Sequence, residues 1–272
     1  LHKSSHSFPT RRSSDLSLEL EEKNRDTIAS IRYAERIQAA MLPPENFFND
    51  TFVLFMPRDI VSGDFYWMHD SGFKQYIAAV DCTGHGVPGA FMSIIGHNSL
   101  NKIVRESGIT KPSDILDHLN IEVVHALLQR SEKAVRDGMD ISVISYDILE
   151  HTVEYAGAYQ PLYHVRDGKV TIYRGDRFPI GMIDGQARKS FTNNRVDVKP
   201  GDMLYIFTDG FADQFGGEHE KKFKTINIRS LLAEIHMLPV EEQKRRLEKA
   251  IREWMGGLAQ VDDILFIGTR VP

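Results

Sequence analysis

The order of its apolar runs limits what this chain can fold into. Short runs rich in aromatic and β-branched residues come first, at Phe52–Met56, Asp64–His69 and Gln75–Val80, with Ser71-Gly72 as a turn. Two blocks of helical period follow, about Val87–Arg105 and Ser113–Gln129, the second just after Pro112. Strand patterns return at Ile141–Tyr146 and Val153–Tyr155, then at Leu162–Arg166 and Lys169–Tyr173, which Asp167-Gly168 joins as a hairpin. Arg195–Val198 and Met203–Thr208 flank the turn Lys199-Pro200-Gly201-Asp202. Two more helices, about Ile228–His236 and Val240–Met255, precede a last strand, Ile264–Arg270. Tight turns between neighbours imply antiparallel pairing. The regular βαβ alternation of a doubly wound parallel sheet is missing. The expectation is an α+β fold without internal repeats.

Ahead of the first strand, Leu20, Ile28, Ile31, Ala34, Ile37 and Met41 recur at helical spacing among charged residues until Pro43-Pro44 stops the helix. The apolar stripe is thin, closer to a coiled-coil seam than to a core face. Two readings stand: a helix packed on its own domain, or a signalling helix that pairs with its twin and joins an upstream sensor. Residues 1–16, LHKSSHSFPTRRSSDL, have no periodicity. Phe8–Leu16 resembles the conceptual translation of a sequencing-library adapter; a natural Ser-rich disordered linker is the alternative. The expected division is 1–16 outside the fold, 17–44 a linker helix and 45–272 one domain, with the native protein continuing upstream.

Charge excludes some functions. The net charge is −5, and nothing forms the basic face that nucleic acid requires. No apolar run reaches the roughly 18 residues of a membrane span, so no membrane insertion is expected of this piece. The lone cysteine, Cys82, forms no disulfide within the chain, which suits a reducing, cytoplasmic compartment even if a longer parent is membrane-anchored.

Four acidic positions share one context. Asp64 follows Ser62-Gly63, Asp81 ends the run Tyr76–Val80, Asp209 ends Leu204–Thr208, and Asp262-Asp263 opens Ile264–Ile267. Each sits at the margin of a strand whose neighbours are apolar. Two carboxylates about 4 Å apart repel by roughly 4 kcal/mol at an effective dielectric near 20. A hard divalent cation removes that cost, and Mg²⁺ and Mn²⁺ prefer oxygen ligands. No His/Cys cluster points to zinc. Taken singly, each aspartate is also an ordinary turn residue.

Gly84-His85-Gly86-Val87-Pro88-Gly89 matches the dinucleotide-binding spacing G-x-G-x-x-G. Asp81 beside it would repel a pyrophosphate, and Glu106, the candidate ribose ligand, follows a helix rather than a strand. The glycines better serve close approach of backbone to a metal and its waters.

Read together, these segments resemble a known family. Arg58-Asp59-Ile60-Val61-Ser62-Gly63-Asp64-Phe65-Tyr66-Trp67, Ala79-Val80-Asp81-Cys82-Thr83-Gly84-His85-Gly86-Val87-Pro88-Gly89-Ala90, Thr208-Asp209-Gly210-Phe211-Ala212-Asp213 and Asp262-Asp263-Ile264-Leu265 are similar, in order and spacing, to the motifs of SpoIIE/RsbU-like members of the PP2C family of protein serine/threonine phosphatases. The resemblance implies an αββα sandwich, two antiparallel sheets flanked by helices, with a two-metal site (Mn²⁺ or Mg²⁺) at the sheets' ends. By position, Asp81 bridges both metals, the Cys82 carbonyl binds the second, and Asp209 and Asp262 bind the first. Asp64 holds metal-bound water directly or from behind, and Asp263 is the substitute if the last motif is shifted by one. Cys82 stands where glycine is usual, but only a carbonyl is needed there.

The implied reaction is attack on a phosphoserine or phosphothreonine by a hydroxide bridging the two metals. Arg58, Gly84 and Gly86 are the candidates for phosphate contact. His85 either protonates the leaving group or has a structural role. Asp140 and Ser142 either touch a third metal or merely start a strand. The loop Gly216–Glu220 is a place for substrate contact. The implied substrate is a regulatory phosphoprotein, a STAS-type anti-sigma-factor antagonist, with dimerisation through the N-terminal helix. The competing readings are a non-catalytic module of the same fold and a small-molecule phosphohydrolase.

Overall fold

The computed structural model describes residues 11–128, 137–181 and 190–272. Residues 1–10 of the suspected adapter segment and Gln129, the expected end of one helix, lie outside them. The element order is α1 (Arg11–Met41), β1 (Thr51–Met56), β2 (Phe65–Asp70), β3 (Lys74–Cys82), α2 (Gly86–Asn101), α3 (Pro112–Leu128), β4 (Met139–Asp147), β5 (Thr152–Ala158), β6 (Leu162–Arg166), β7 (Lys169–Tyr173), β8 (Asn194–Val196), β9 (Met203–Phe207), α4 (Gly210–Asp213), β10 (Phe215–Gly216), β11 (Lys221–Lys222), α5 (Lys224–Ile235), α6 (Val240–Met255) and β12 (Ile264–Arg270).

Ten strands form two five-stranded antiparallel sheets, ordered β1-β12-β9-β6-β7 and β2-β3-β4-β5-β8, and β10 pairs with β11 in a small hairpin. Three apolar layers hold the sheets in place. Phe65, Trp67, Tyr76, Ala78 and Val80 pack under α2 and α3. Phe52, Tyr205, Phe207, Phe266 and Val165 pack under α5 and α6. Tyr66, Met68, Ile77, Ile206 and Leu265 fill the space between the sheets. Both faces of each sheet are therefore covered, which is why Tyr76–Val80 and Ile264–Ile267 are unbroken apolar runs rather than alternating ones. This is the αββα sandwich that the resemblance implied.

The element boundaries differ from expectation at places with a physical cause. β5 runs on to Ala158, through Gly157. A Cβ on Gly157 would lie 2.2 Å from the Tyr155 hydroxyl and 2.4 Å from the Gln160 carbonyl oxygen, so the strand needs glycine to run past the expected end at Tyr155. The helix expected as far as Arg105 ends as α2 at Asn101 and continues in a π-helical turn, Lys102–Glu106. α1 is one continuous helix from Arg11, so it crosses the boundary expected near residue 16. Its Leu16, Leu18 and Leu20 are exposed, while Ile28, Ile31 and Ala34 are half-buried and Gln38 is buried. No helix among the described residues is long and apolar enough to cross a membrane.

Phe266 tests the packing under α5 and α6. It is fully buried, stacks on Phe207 at 4.5 Å and meets Phe211 edge-on at 5.4 Å. Phe266→Ala is expected to lower the unfolding free energy by about 3–5 kcal/mol in urea denaturation; a loss below about 1 kcal/mol would contradict this packing.

Candidate metal centre

Strand alternation decides where the acidic side chains point. Tyr66 and Met68 of β2 face the opposite sheet, and Asp64 precedes Tyr66 by two residues in the same row. Ile77 and Ala79 of β3 face inward, and Asp81 continues that row. Asp140 stands directly opposite Asp81 in the β3–β4 register, hence on the same face. In the other sheet, Ile206 and Leu265 face inward, and Thr208 and Asp263 extend their rows. Asp209 and Asp262 are the adjoining residues. The pairs Phe65↔Val80, Cys82↔Met139 and Phe207↔Phe266 bring the starts of β2, β4 and β12 to the ends of β3 and β9. The acidic residues of all four motifs thus gather at one end of the sandwich.

Their electrostatics show that they interact. Asp64 is 4% exposed. Burial, then the charges of Asp81, Asp263 and Asp262, raise its carboxyl well above the ordinary range, against a Thr208 hydrogen bond that lowers it. Burial raises Asp81 likewise, followed by Asp209, Asp140, Asp262 and Asp263. Asp140 is pushed up to about 6, by burial first and then by Asp209. Asp209 is raised by burial, Asp262 and Asp213 and lowered by Lys222. Lys222 itself is held by Asp213 at 2.6 Å.

Does this arrangement fit divalent cations? The Asp64 Oδ2 is buried and has no hydrogen-bond partner, although buried polar atoms are almost always paired. The donors are oxygens throughout. The Cys82 sulfur is turned away into the apolar layer beneath α2 and α3, where burial raises the thiol pKa well above its usual value. Among the described residues no three His, Cys, Asp or Glu side chains already stand together as a chelating set. The partnerless oxygen and the one-signed cluster both fit hard cations.

The loops around the cluster are fixed by contacts between distant segments. Asp263 accepts the Arg58 N–H at Oδ1, 2.7 Å, and the Gly63 N–H at Oδ2, 2.8 Å. Both of its oxygens thereby clamp the first motif to the last, which favours Asp262 over Asp263 as a metal ligand. Asp262 is exposed, and its Oδ1 accepts the Asp263 N–H at 2.8 Å. Gly63, Gly84 and Gly89 pack backbone to backbone. A Cβ on Gly63 would lie 2.5 Å from the Gly84 carbonyl oxygen and 3.3 Å from that of Cys82, and a Cβ on Gly89 would lie 2.3 Å from the Gly84 oxygen. The glycine spacing therefore serves this crossing, with Gly84 at φ +86° and Gly86 at φ +64°. His85 is exposed, and its Nδ1 lies 2.9 Å from Asp59 Oδ2. The Arg58 guanidinium donates Nη1–H to the Val261 carbonyl at 3.0 Å. Ser142 is buried and donates to the Gln160 carbonyl at 3.0 Å, which makes it a strand anchor.

Gln38 of α1 went unrecognised in the sequence. It is 7% exposed. Its Oε1 accepts the Ser62 N–H at 3.0 Å, and its Nε2 donates to the Ser62 carbonyl at 2.6 Å and to Ser93 Oγ of α2 at 2.8 Å. The one available signal was a polar residue three positions before Met41 at the inner edge of the helical stripe.

Comparison with known proteins bears on this geometry. The family described as Stage II sporulation protein E (SpoIIE) matches residues 71–272. The chain belongs to the SpoIIE family. Stage II sporulation protein E of Bacillus subtilis is 26% identical over 222 residues, which cover 78% of this chain and 24% of that protein. The chain thus spans about a quarter of that curated relative's length. The SiaA PP2C domain of Pseudomonas aeruginosa superposes with a TM-score of 0.83 at 30% identity, covering 92% of this chain and 99% of that one. The PP2C phosphatase domain of B. subtilis SpoIIE, solved with a fragment of its regulatory domain, gives a TM-score of 0.65 at 21% identity, covering 81% and 62%. This SpoIIE-family chain has the PP2C fold.

Asp140 yields a pH test. Its native carboxyl titrates at about 6, against about 3.9 in an unfolded chain. The folded state holds this proton more tightly, so its ionisation costs stability. The penalty is absent below about pH 4, grows through pH 6 and is complete above it. In chelator, Asp140→Asn is expected to be more stable than wild type by about 1–3 kcal/mol at pH 7.5, with the gain vanishing near pH 4. A difference independent of pH, measured by urea denaturation, would contradict the shift.

Proposed function

We propose that this domain hydrolyses phosphoserine or phosphothreonine on a regulatory protein, with two divalent cations, Mn²⁺ or Mg²⁺, held by its clustered aspartates. The observation that carries this reading is the one-signed cluster of Asp64, Asp81, Asp209 and Asp262, including the partnerless Asp64 oxygen, in a chain of this family. When bound, such cations activate water and neutralise phosphate charge.

Each residue has a role that its position supports. Asp81 is central: it is inward-facing, and its pKa responds to both sheets. It is the candidate bridge between two cations. Asp209 and Asp262, which repel each other, are the candidates for one site, and Asp81 with the Cys82 carbonyl for the other. Asp64 orients water from a buried position, steadied by Thr208. Arg58 is exposed, and its guanidinium has further N–H donors beyond the one given to Val261, enough for a phosphate. Asp59 holds His85 by Nδ1, which leaves Nε2 to protonate a departing serine or threonine oxygen. Gly84 and Gly86 let the backbone approach the phosphate closely.

The finer assignments belong to the same proposal. The substrate is a STAS-type anti-sigma-factor antagonist in a cytoplasmic signalling pathway. α1 is the linker helix to an upstream sensor, and its exposed Leu16 and Leu20, one turn apart, suit a homodimer seam. Gln38 links that helix to the backbone of Ser62, two residues from Asp64, so that movement of α1 reaches the metal centre.

Hydrolysis of p-nitrophenyl phosphate and of a phosphoserine STAS protein, with Mn²⁺ and with chelator, tests the proposal. Both activities are expected to require metal and to fall by about a thousandfold or more in Asp81→Asn, the scale of several kcal/mol of lost charge stabilisation. Metal-dependent turnover that survives Asp81→Asn would overturn the assignment. A folded wild type that neither turns over nor binds Mn²⁺ would favour a non-catalytic module.

A further inference from the structure

A basic cleft opens at the same end of the sandwich as the aspartates. It has a volume of about 440 Å³, and its lining includes Tyr159, Tyr163, Arg174, Arg177, Thr225 and Arg229. All three arginines are exposed, and among the described residues none of them has an ion-pair or hydrogen-bond partner. Asp176, the acid between two of them, is engaged elsewhere: its carboxylate accepts the Thr192 N–H at 2.7 Å and the Thr192 hydroxyl at 3.0 Å. Three unpaired guanidinium groups in one cleft are unexpected in a chain of net charge −5.

Connectivity places the cleft beside the aspartates. Gln160 lies between Tyr159 and Pro161, both of which line the cleft, and it donates Nε2–H to the Asp140 carbonyl at 3.3 Å. Asp140 in turn faces Asp81 across the β3–β4 pair. The wall is built rather than incidental. Tyr159 has φ +57°, a conformation rare for a bulky side chain, and its N–H is held by the Asp176 carbonyl at 2.8 Å. The Asp176 N–H is held by the Gly157 carbonyl at 2.8 Å. A Cβ on Gly175 would lie 2.8 Å from that same Gly157 oxygen, so this approach needs glycine. The strained residue presents a half-exposed ring next to the arginines.

We propose that this cleft docks an acidic segment of the phosphoprotein substrate, a proposal that rests on the phosphatase reading above. Guanidinium groups match carboxylates with two parallel hydrogen bonds, and a tyrosine wall adds rigid contact area. Docking beside Asp140 holds a phosphorylated side chain near the metal centre through contacts that do not change during the reaction. A nucleic acid fits less well, because a long polyanion needs an extended basic face and this chain has a net charge of −5.

Two peptide pairs test it. In one pair, glutamates or glutamines flank a phosphoserine; in the other, serine replaces the phosphoserine so that binding is read without turnover. The wild type is expected to bind the glutamate peptide at least about tenfold more tightly in fluorescence anisotropy, with a marked loss on adding salt. It is expected to show a similar preference in kcat/KM on the phosphorylated pair. In Arg174→Gln/Arg229→Gln both ratios are expected to fall towards one; Arg177→Gln serves as a second variant should the double one unfold. Equal binding of the two peptides by wild type, a preference that persists in the variants, or stronger displacement by a single-stranded oligonucleotide than by the glutamate peptide would overturn the proposal. Turnover of p-nitrophenyl phosphate by the wild type reports separately on the phosphatase reading. In the wild type, turnover without a peptide preference condemns the cleft alone, and a peptide preference without turnover condemns the phosphatase reading alone.

Discussion

Repulsion among carboxylates at one end of a β-sandwich is the constraint around which this molecule is organised. Asp64, Asp81, Asp140 and Asp209 are all held above the usual carboxylate range, with burial the largest cause in each and neighbouring aspartates the next. A fold does not gather like charges at its margin without either a cost or a countercharge. The nearby cations do not answer it: Lys222 is tied to Asp213, and Arg58 reaches the Val261 carbonyl. The rest of the sandwich supplies the rigidity that keeps these groups together, through three apolar layers and two five-stranded sheets in fixed register.

Contacts between segments far apart in sequence fix the loops that carry the acids. Asp263 joins the last motif to the first through two backbone N–H groups. The Gly63–Gly84–Gly89 crossing brings the first and second motifs to van der Waals contact without side chains between them. Gln38 then ties α1 to the same first loop and to α2. Each device restrains backbone rather than adding a ligand, so the geometry of the aspartates is set from behind. A helix that reaches the first loop through one buried amide ties its own position directly to the site.

Much of this was legible in the sequence because it is local. Turn dipeptides and short runs of aromatic and β-branched residues mark most strand ends, and those ends are where Asp64, Asp81, Asp209 and Asp262 stand. The resemblance added the layer order, which patterning alone does not give. What escaped notice depends on which residues the folded chain sets against one another. Asp263 reads as a second copy of Asp262 until its contact with Gly63 is seen, 200 positions away. Asp140 looks like an ordinary strand start until the register sets it opposite Asp81. The strand expected to end at Tyr155 runs on through Gly157, where a Cβ would meet the Tyr155 hydroxyl. The basic cleft joins Tyr159 and Arg174, which follow β5 and β7, to Arg229 of α5, and no spacing announces it.

The central claim is that the aspartates of the four motifs converge on divalent cations. Anomalous diffraction at the manganese edge, from crystals grown with Mn²⁺, tests it most directly. The account predicts two peaks at the end of the sandwich, with Asp81 touching both and Asp209 and Asp262 sharing one. Peaks elsewhere on the molecule, or none beside Asp81 in a well-ordered crystal, would contradict it.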